Sequence, residues 1–291
     1  MRGCIVTGAA GSIGRAVLAE LSAHGVPVTA LVLDDSPGLD AGRVVVGDAG
    51  VQEVADAAFE GAGPDDVLVH LAARPSPVGA AGVDVFGGNS RATYAVLDAA
   101  VRAGVRRAVI ASSVSVYGFA WGTGPQVAPA YLPVDEELPQ RVADPYALSK
   151  QADELTAAMF HRRSGLDVVA LRFPFTSTAA SIEARVRRFA ADPAAGAPEL
   201  WSYLHLEDAA RAVWAATQAT VDGVLPLLLA APTTLSPVPT ARLLRDHLPS
   251  VPVRGELAGH ASPIDTTRAR QLLGFAPRHV VDVARVLEGA A

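Results

Sequence analysis

The chain has 291 residues, of which 50% are hydrophobic and 19% are charged, and its formal net charge is −6. This composition is typical of a compact folded protein, and the lack of a basic cluster argues against a nucleic-acid-binding surface. Cys4 is the only cysteine, which excludes a disulfide framework and a thiolate metal site, and we predict no metal. The sequence has no apolar leader and no uninterrupted apolar span of membrane length, so we expect a cytoplasmic protein with no membrane partner.

Short apolar runs alternate with helical periods over the first 173 residues. The strands are predicted at 4–7, 28–33, 43–46, 66–72, 107–113 and 167–173. The helices are predicted at 12–23, 51–59, 90–103 and 146–163. Continuous apolar strands that alternate with helices predict an α/β fold with a doubly wound parallel sheet, the Rossmann fold. Its ligand crevice lies at the carboxyl ends of the strands.

The regular alternation of predicted strands and helices ends after residue 173. We predict a loop at 192–198, strands at 200–206 and 223–230, and helices at 207–219, 239–247, 266–273 and 280–288. This pattern indicates a dinucleotide-binding domain at 1–173 and a smaller C-terminal substrate-binding cap at 174–291. Chain segments can cross between the two.

A glycine-rich turn, "TGAAGSIG", stands between the first strand and the first helix. Glycines at this position let the backbone turn tightly and approach a pyrophosphate bound at the helix N-terminus. The spacing alone is common by chance, but its place between a strand and a helix makes it specific. We expect a dinucleotide to contact Gly8, Gly11, Ser12, Ile13 and Gly14.

The choice between NAD and NADP depends on Asp34, which follows Gly14 by twenty residues. A carboxylate at this spacing accepts the ribose hydroxyls of NAD and repels the 2′-phosphate of NADP. Asp34 can equally begin a turn before Ser36, and Arg15 could bind a 2′-phosphate. The sequence therefore favours NAD and leaves NADP open. Two further polar residues end strands: Asp48 is either an adenine contact or a turn residue, and we interpret His70 as structural.

Lys150 is the only lysine in a chain with 24 lysine and arginine residues, and Tyr146 precedes it by four residues. At this spacing both side chains lie on one face of the predicted helix. A phenol is a weak acid at neutral pH, but a nearby ammonium and an oxidised nicotinamide would stabilise the phenolate. The compact ammonium could also hold the nicotinamide ribose hydroxyls. The pair therefore predicts a tyrosine general base.

A serine at the end of the fifth predicted strand completes this set. Ser113 lies in "IASSVSVYG", where its hydroxyl could bond to a substrate oxygen as charge develops on that atom. The neighbouring Ser112 and Ser115 are interpreted as hydrogen-bonding residues of the loop.

The ordered set of these motifs resembles an extended short-chain dehydrogenase/reductase of the NAD-dependent epimerase/dehydratase family. The matching segments are "TGAAGSIG", "GD" at 47–48, "HLAA" at 70–73, Asn89, "SSVSVYG", "DPYALSK", "LRFP" and "DTTRARQLLGFAP". The resemblance covers nearly the whole chain and implies a catalytic Ser113, Tyr146 and Lys150. The reaction would move a hydride between a secondary alcohol carbon and nicotinamide, while Tyr146 takes the hydroxyl proton.

The resemblance also implies binding residues and a homodimer. Further cofactor contacts would come from Asp34, Asp48, Ala49, Leu71, Ala72, Ala73, Asn89, Lys150 and Pro174. Substrate contacts would come from Arg74, Ser76, Ser113, Tyr146 and Trp201. The dimer would form through the outer faces of helices 90–103 and 146–163.

Several positions depart from the subgroups of that family. Val114 and Ser115 replace the acidic pair of the sugar dehydratases and the Asn-His pair of the uronate dehydrogenases, which the chain otherwise resembles in "TGAAG" and "DDSP". Phe175 and Trp201 replace the Asn and Arg that contact nucleotide-sugar phosphates, although both can be plain core aromatics. We therefore expect a sugar or polyol-like small molecule as substrate, with epimerisation and dehydrogenation both open. A nucleotide-sugar 4-epimerase and a non-catalytic dinucleotide-sensing regulator are the alternatives.

Overall fold

The computed structural model describes residues 1–121 and 128–289. The strands are β1 Cys4–Thr7, β2 Val28–Val32, β3 Arg43–Val46, β4 Val67–His70, β5 Arg107–Ser113, β6 Asp167–Phe173, β7 Thr176–Ser177, β8 Leu204–His205 and β9 Val224–Leu228. The α-helices are α1 Ser12–Ala23, α2 Gln52–Ala58, α3 Gly82–Arg102, α4 Pro145–Ser164, α5 Ala179–Ala191, α6 Leu206–Gln218, α7 Thr240–His247, α8 Thr267–Leu273 and α9 Val283–Glu288. Short 3-10 helices span Val114–Tyr117 and Pro193–Glu199. No helix of the described ranges has both the length and the apolarity needed to cross a bilayer.

The central sheet has seven strands in the order β3-β2-β1-β4-β5-β6-β9, and every neighbouring pair is parallel. The chain runs from β1 outward to β3 and then returns to the other side of β1 to form β4. The strand order therefore reverses between β1 and β4, where Thr7 lies opposite His70. Ligands of doubly wound sheets bind at such a reversal. The predicted Rossmann fold is confirmed.

Both faces of the sheet are covered, which explains why its strands are apolar at successive positions. On one face, Val6 packs in a cluster with buried residues of α1 and α6. On the other face, Ile5 packs with buried residues of α3 and α4. Because alternate residues of a strand point to opposite faces, strands β1, β2, β4, β5 and β6 contribute to both clusters, whereas the edge strand β3 contributes only Val45, on the second face.

A third hydrophobic cluster forms the core of the cap, and it draws on both halves of the sequence. Val116 and Tyr131 come from before residue 173, whereas Phe189 and Leu243 come from after it. In the opposite direction, β9 pairs with β6 in the main sheet, and α6 packs on α1. The chain therefore crosses between the two regions more than once. The division at residue 173 stays a proposal about function rather than a clean cut in the chain.

Some predicted elements are wrong in extent. Helix α3 begins at Gly82 rather than at residue 90. Its first two turns were not predicted because they contain Gly87 and Gly88, and glycine has a low helix propensity. Helix α5 was not predicted. The strand expected at 200–206 is reduced to β8, since Leu200 and Trp201 have φ values of 54° and 52°, in the left-handed region.

The segment at 192–198 is also different from the loop that the sequence predicts. It lies almost wholly within the 3-10 helix Pro193–Glu199, and Asp192 caps this helix by accepting a hydrogen bond from the Ala194 amide. A proline at the first helical position and an aspartate before it are typical signals of a helix start. The glycine and the second proline in the segment concealed those signals.

Candidate active site

The turn after β1 requires its glycines. Gly8 has a φ of +67°, and a Cβ there would lie 2.6 Å from the Ala72 amide nitrogen. A Cβ on Gly14 would overlap the carbonyl oxygen of Gly8 and lie 2.7 Å from that of Ala9. Gly11 precedes α1 and gives it no side-chain cap, so the first amides of the helix remain available to an anion. These features fit the pyrophosphate of a dinucleotide.

A cavity of about 640 Å³ extends from this turn across the carboxyl ends of β1, β2 and β4. Its size is within the range of small-molecule and cofactor sites. The predicted cofactor residues that line it are Gly8, Gly11, Asp48, Ala49, Leu71, Ala72, Ala73 and Asn89. Ser12 and Ile13 lie in the first turn of α1, and Gly14 is buried beneath that turn. The glycine-rich turn and the mostly apolar walls of the cavity therefore suit a dinucleotide.

The end of this cavity near β2, where the adenosine is expected, differs from the prediction. Asp34 is exposed and is not among the residues along the cavity, and its carbonyl oxygen accepts a hydrogen bond from the Ser36 hydroxyl at 3.1 Å. Val32 and Leu33 line the wall in its place. The turn interpretation of Asp34 thus describes this structure, and its contact with the ribose stays a prediction.

Asp48 is held by two partners at the same end. One carboxylate oxygen accepts from the Gly50 amide at 2.8 Å, and the other accepts from the Arg91 guanidinium at 3.1 Å. Arg91 also lines the cavity, as do Val83, Asp84, Gly87 and Gly88. Sequence reasoning missed these residues because they belong to the unpredicted part of α3 or to its outer face.

Ser113 is the last residue of β5, at the carboxyl edge of the sheet. Its hydroxyl accepts from the Ser115 amide at 3.1 Å and donates to the Ser115 hydroxyl at 3.0 Å, which caps the 3-10 helix that follows. The Ser112 hydroxyl donates instead to a Glu154 carboxylate oxygen at 2.6 Å. Ser112 and Ser115 therefore serve as hydrogen-bonding residues.

Helix α4 brings the tyrosine and the lysine to the same edge. Asp144 caps the helix by accepting from the Ala147 amide at 2.9 Å, and Pro145 occupies the first turn. Tyr146 and Lys150 lie on its buried face, with the Lys150 Nζ 6.0 Å from the centre of the Tyr146 ring. Lys150 Nζ donates to the Ala111 carbonyl oxygen of β5 at 2.8 Å. This bond ties α4 to the strand that ends in Ser113.

The charge of Lys150 is set by its burial and by a neighbouring carboxylate. Burial lowers the pKa of Lys150, but the Asp153 carboxylate raises it, and the net pKa lies above its ordinary value.

Burial lowers the pKa of His70 to about 3, so this side chain is neutral. Its ring nitrogens bond to the hydroxyls of Thr7 at 2.7 Å and Thr93 at 3.0 Å. His70 thus joins β1, β4 and α3 in the interior, which agrees with its structural interpretation.

The loop after β4 carries two of the predicted substrate contacts. The Arg74 amide donates to the Asn89 side-chain oxygen at 2.8 Å, while the Asn89 amide donates to the Arg74 carbonyl at 3.1 Å and to the Ser149 hydroxyl at 3.0 Å. Asn89 thus fixes this loop against α4, and its contact with a cofactor stays a prediction. The Arg74 side chain is exposed, and the Ser76 hydroxyl accepts from the Val78 amide. Pro174, after β6, is buried.

The predicted substrate contact of Trp201 is wrong. Its side chain is fully buried in the cap core, and its Nε1 donates to the Pro193 carbonyl at 2.7 Å. A Cβ on Gly196 would overlap its ring, which shows how tightly the indole is enclosed. Phe175 is half-buried, and the Arg185 guanidinium stacks on its ring with its central carbon 3.5 Å from the ring centre. Arg185 is in turn paired with Glu199.

Comparison with known proteins identifies the family of this chain. The model of the "NAD dependent epimerase/dehydratase family" matches residues 4–226. The chain belongs to this family. It is therefore an enzyme of the extended short-chain dehydrogenase/reductase type, and NAD is the cofactor of the family. The prediction of the family, of the enzyme type and of NAD is confirmed.

Two relatives and one solved structure are similar to this family member. An L-arabinose 1-dehydrogenase (NAD(P)(+)) of Haloferax volcanii is 35% identical over 189 residues, 62% of this chain and 70% of the relative. A 3-diazoavenalumate denitrifying reductase of a Streptomyces species is 30% identical over 97% of this chain and 90% of the relative. The crystal structure of a short-chain dehydrogenase/reductase superfamily protein from Agrobacterium tumefaciens, with bound NAD, is 27% identical over 99% of this chain and 95% of that chain, with a TM-score of 0.71.

Proposed function

We propose that this enzyme is an NAD-dependent dehydrogenase that oxidises a secondary alcohol of a sugar or sugar-like small molecule without a nucleotide. The observation that carries the proposal is the arrangement at the carboxyl edge of β5. Tyr146 and Lys150 share the buried face of α4, and the 2.8 Å bond from Lys150 to Ala111 fixes that face against β5, the strand that ends in Ser113. The same helix is joined to the cavity wall, since the Asn89 amide donates to the Ser149 hydroxyl. The similarity to an L-arabinose dehydrogenase supports this substrate class.

The side chains divide the reaction among them. Bound NAD would supply the hydride acceptor for the carbon that is oxidised. Tyr146, as the phenolate, takes the proton of the substrate hydroxyl, so that the C–O bond becomes a carbonyl. The Ser113 hydroxyl turns from Ser115 to the same substrate oxygen and stabilises the charge that develops there. Lys150 keeps a positive charge beside the phenol throughout.

The cap supports a substrate without phosphates. Trp201 is enclosed in the core, and the charge of Arg185 is neutralised by Glu199. Neither Trp201 nor Arg185 therefore offers an unpaired positive charge to bind the phosphates of a sugar nucleotide. Arg74 is exposed on the wall of the cavity, where it would contact a hydroxyl or a carboxylate of the substrate.

A panel of aldoses, uronic acids and polyols, each with NAD⁺ or NADP⁺, tests the proposal through the absorbance of the reduced nicotinamide. We expect Tyr146→Phe to lower kcat by a factor of about 10² or more, because it removes the general base. Tyr94→Phe is the matched control, since Tyr94 is half exposed on the outer face of α3 and should leave kcat unchanged. Conversion of a sugar into its epimer with no net reduction of NAD⁺ would identify an epimerase instead. Binding of NAD with no turnover of any substrate would favour the sensing regulator.

We also propose that the protein is a homodimer in the cytoplasm. The outer faces of α3 and α4 expose the apolar side chains of Tyr94, Leu148 and Leu155, which a contact between two copies would cover. The two helices pack against each other, so their outer faces form one continuous surface. A second copy of the same surface would cover it through a twofold contact.

A further inference from the structure

Lys150 has a buried counter-ion that the proposed reaction does not use. Its Nζ lies 3.1 Å from an Asp153 carboxylate oxygen, and the two side chains are only 4% and 2% exposed. With the bond to Ala111, two of the three ammonium hydrogens therefore point into the protein. One hydrogen remains for the crevice.

Asp153 is the anion that offsets the charge of Lys150. Among the described residues, the other ionisable groups around the ammonium are Tyr146 and Glu154 on the same helix and His70 on β4. The Glu154 carboxylate is already paired with Arg172 of β6 at 2.7 Å, and His70 is neutral. A buried ammonium without a partner loses its proton readily, because burial disfavours the charged form.

A contribution to stability does not explain the buried ion pair of Lys150 and Asp153. Removing two charges from water costs about as much as their attraction returns, so buried ion pairs contribute little net stability. A side chain kept in such a place is better explained by its effect on the lysine.

We propose that Asp153 is a positioning residue that keeps Lys150 protonated and holds its remaining N–H toward Tyr146 and the crevice. The inference rests on the proposed function for its catalytic meaning, but the effect on Lys150 is a property of the folded chain. If Asp153 is neutralised, Lys150 loses its proton at lower pH, and the phenolate of Tyr146 loses the charge that stabilises it.

The single lysine makes a direct test possible. In protein labelled with ¹³C at the lysine ε-carbon, one lysine resonance arises from the whole chain, and its pH titration reports on Lys150. We expect Asp153→Asn to lower the midpoint of this titration by about one pH unit or more. Asp66→Asn is the matched control: Asp66 is 6% exposed and pairs with Arg2 at 2.8 Å, at the opposite edge of the sheet. Its removal should leave the Lys150 midpoint unchanged.

The outcomes are separable from those of the activity assay. An unchanged Lys150 midpoint in a folded Asp153→Asn protein would overturn the inference, whatever the enzyme oxidises. If the amide variant does not fold, Asp153→Ser removes the same charge with less bulk and is titrated in its place. If the original enzyme turns over a substrate, the pH profile of Asp153→Asn should show a loss of kcat at alkaline pH that the original enzyme lacks. A lack of turnover in the unmodified enzyme would refute the proposed function and leave the titration valid.

Discussion

At the scale of single residues, His70 shows how a buried group makes stability depend on pH. Its pKa is lowered to about 3 in the folded protein, whereas an unfolded histidine has a pKa of about 6.5. Between these values the unfolded chain binds a proton that the native protein does not, so stability falls as the pH falls below about 6.5. By pH 5 this contributes a loss of about 2 kcal/mol.

His70→Gln removes that proton while keeping a neutral side chain that can bond to Thr7 or Thr93. We expect its free energy of unfolding in urea to fall less than that of the original protein between pH 7.5 and pH 5. The expected difference is about 2 kcal/mol. Equal pH dependence in both proteins would show that His70 binds its proton over the same pH range in the native and unfolded states.

Cys4 gives a second prediction at this scale. Burial raises the pKa of its thiol, and the residue is 2% exposed in β1. Because the thiolate is the reactive form, a thiol reagent should leave the native protein unmodified and modify one thiol per chain after unfolding. Rapid modification under native conditions would contradict the packing of β1.

The residues that could be predicted from sequence are those with a fixed spacing on one element. Tyr146 and Lys150 follow from a four-residue helical period, and Gly8 and Gly14 follow from the demands of a strand-to-helix turn. Asp153 could not be predicted, because an aspartate three residues after a lysine on a helix is ordinarily a surface ion pair. Only the packing of α4 against β5 and α3 shows that this pair is buried. Trp201 illustrates the same limit, since its burial depends on how the preceding 3-10 helix places Gly196 and Pro193 around its ring.

At the scale of elements, predictions held where apolar runs and turn signals agreed and failed where small residues obscured them. The sheet strands fall close to their expected ranges, but α3 gains two turns, and α5 lies at 179–191, where no element was predicted. The consequence for the site is concrete. The added turns of α3 supply part of the cavity wall, so the adenosine end was the part of the site that the sequence described least well.

The turn between β1 and α1 yields the prediction at this scale. Gly14→Ala places a methyl group on the carbonyl oxygens of Gly8 and Ala9, so the turn must open. We expect a loss of stability of about 1–3 kcal/mol and weaker binding of NAD, measured by thermal unfolding and by titration with NAD⁺. Gly63→Ala is the control, because a Cβ there meets no atom within 4 Å. Unchanged NAD affinity in Gly14→Ala would mean that the turn does not hold the cofactor.

At the scale of the whole molecule, the course of the chain between the sheet and the cap was beyond sequence reasoning. Strand β9 is a continuous apolar run that suits either region, and only its register with β6, with Leu171 opposite Leu227, assigns it to the sheet. The cap core likewise combines residues from either side of α4 in the sequence. Because the two regions share segments, the cap core packs directly against the residues that follow Ser113 and Pro174, at the carboxyl ends of β5 and β6.

The proposed dimer is the last prediction and concerns the whole assembly. Leu148 and Leu155 are seven residues apart on α4, so they lie on one face, and they are 40% and 65% exposed. We expect a native mass of twice the 29.9 kDa chain, measured by light scattering. Leu155→Arg should convert the dimer to a monomer, because each copy would bury a guanidinium without a partner in the interface. Leu272→Arg alters a leucine on α8 that is 52% exposed and should leave the dimer intact. A monomeric original protein would refute the interface, while the site, which one chain forms alone, would retain its geometry.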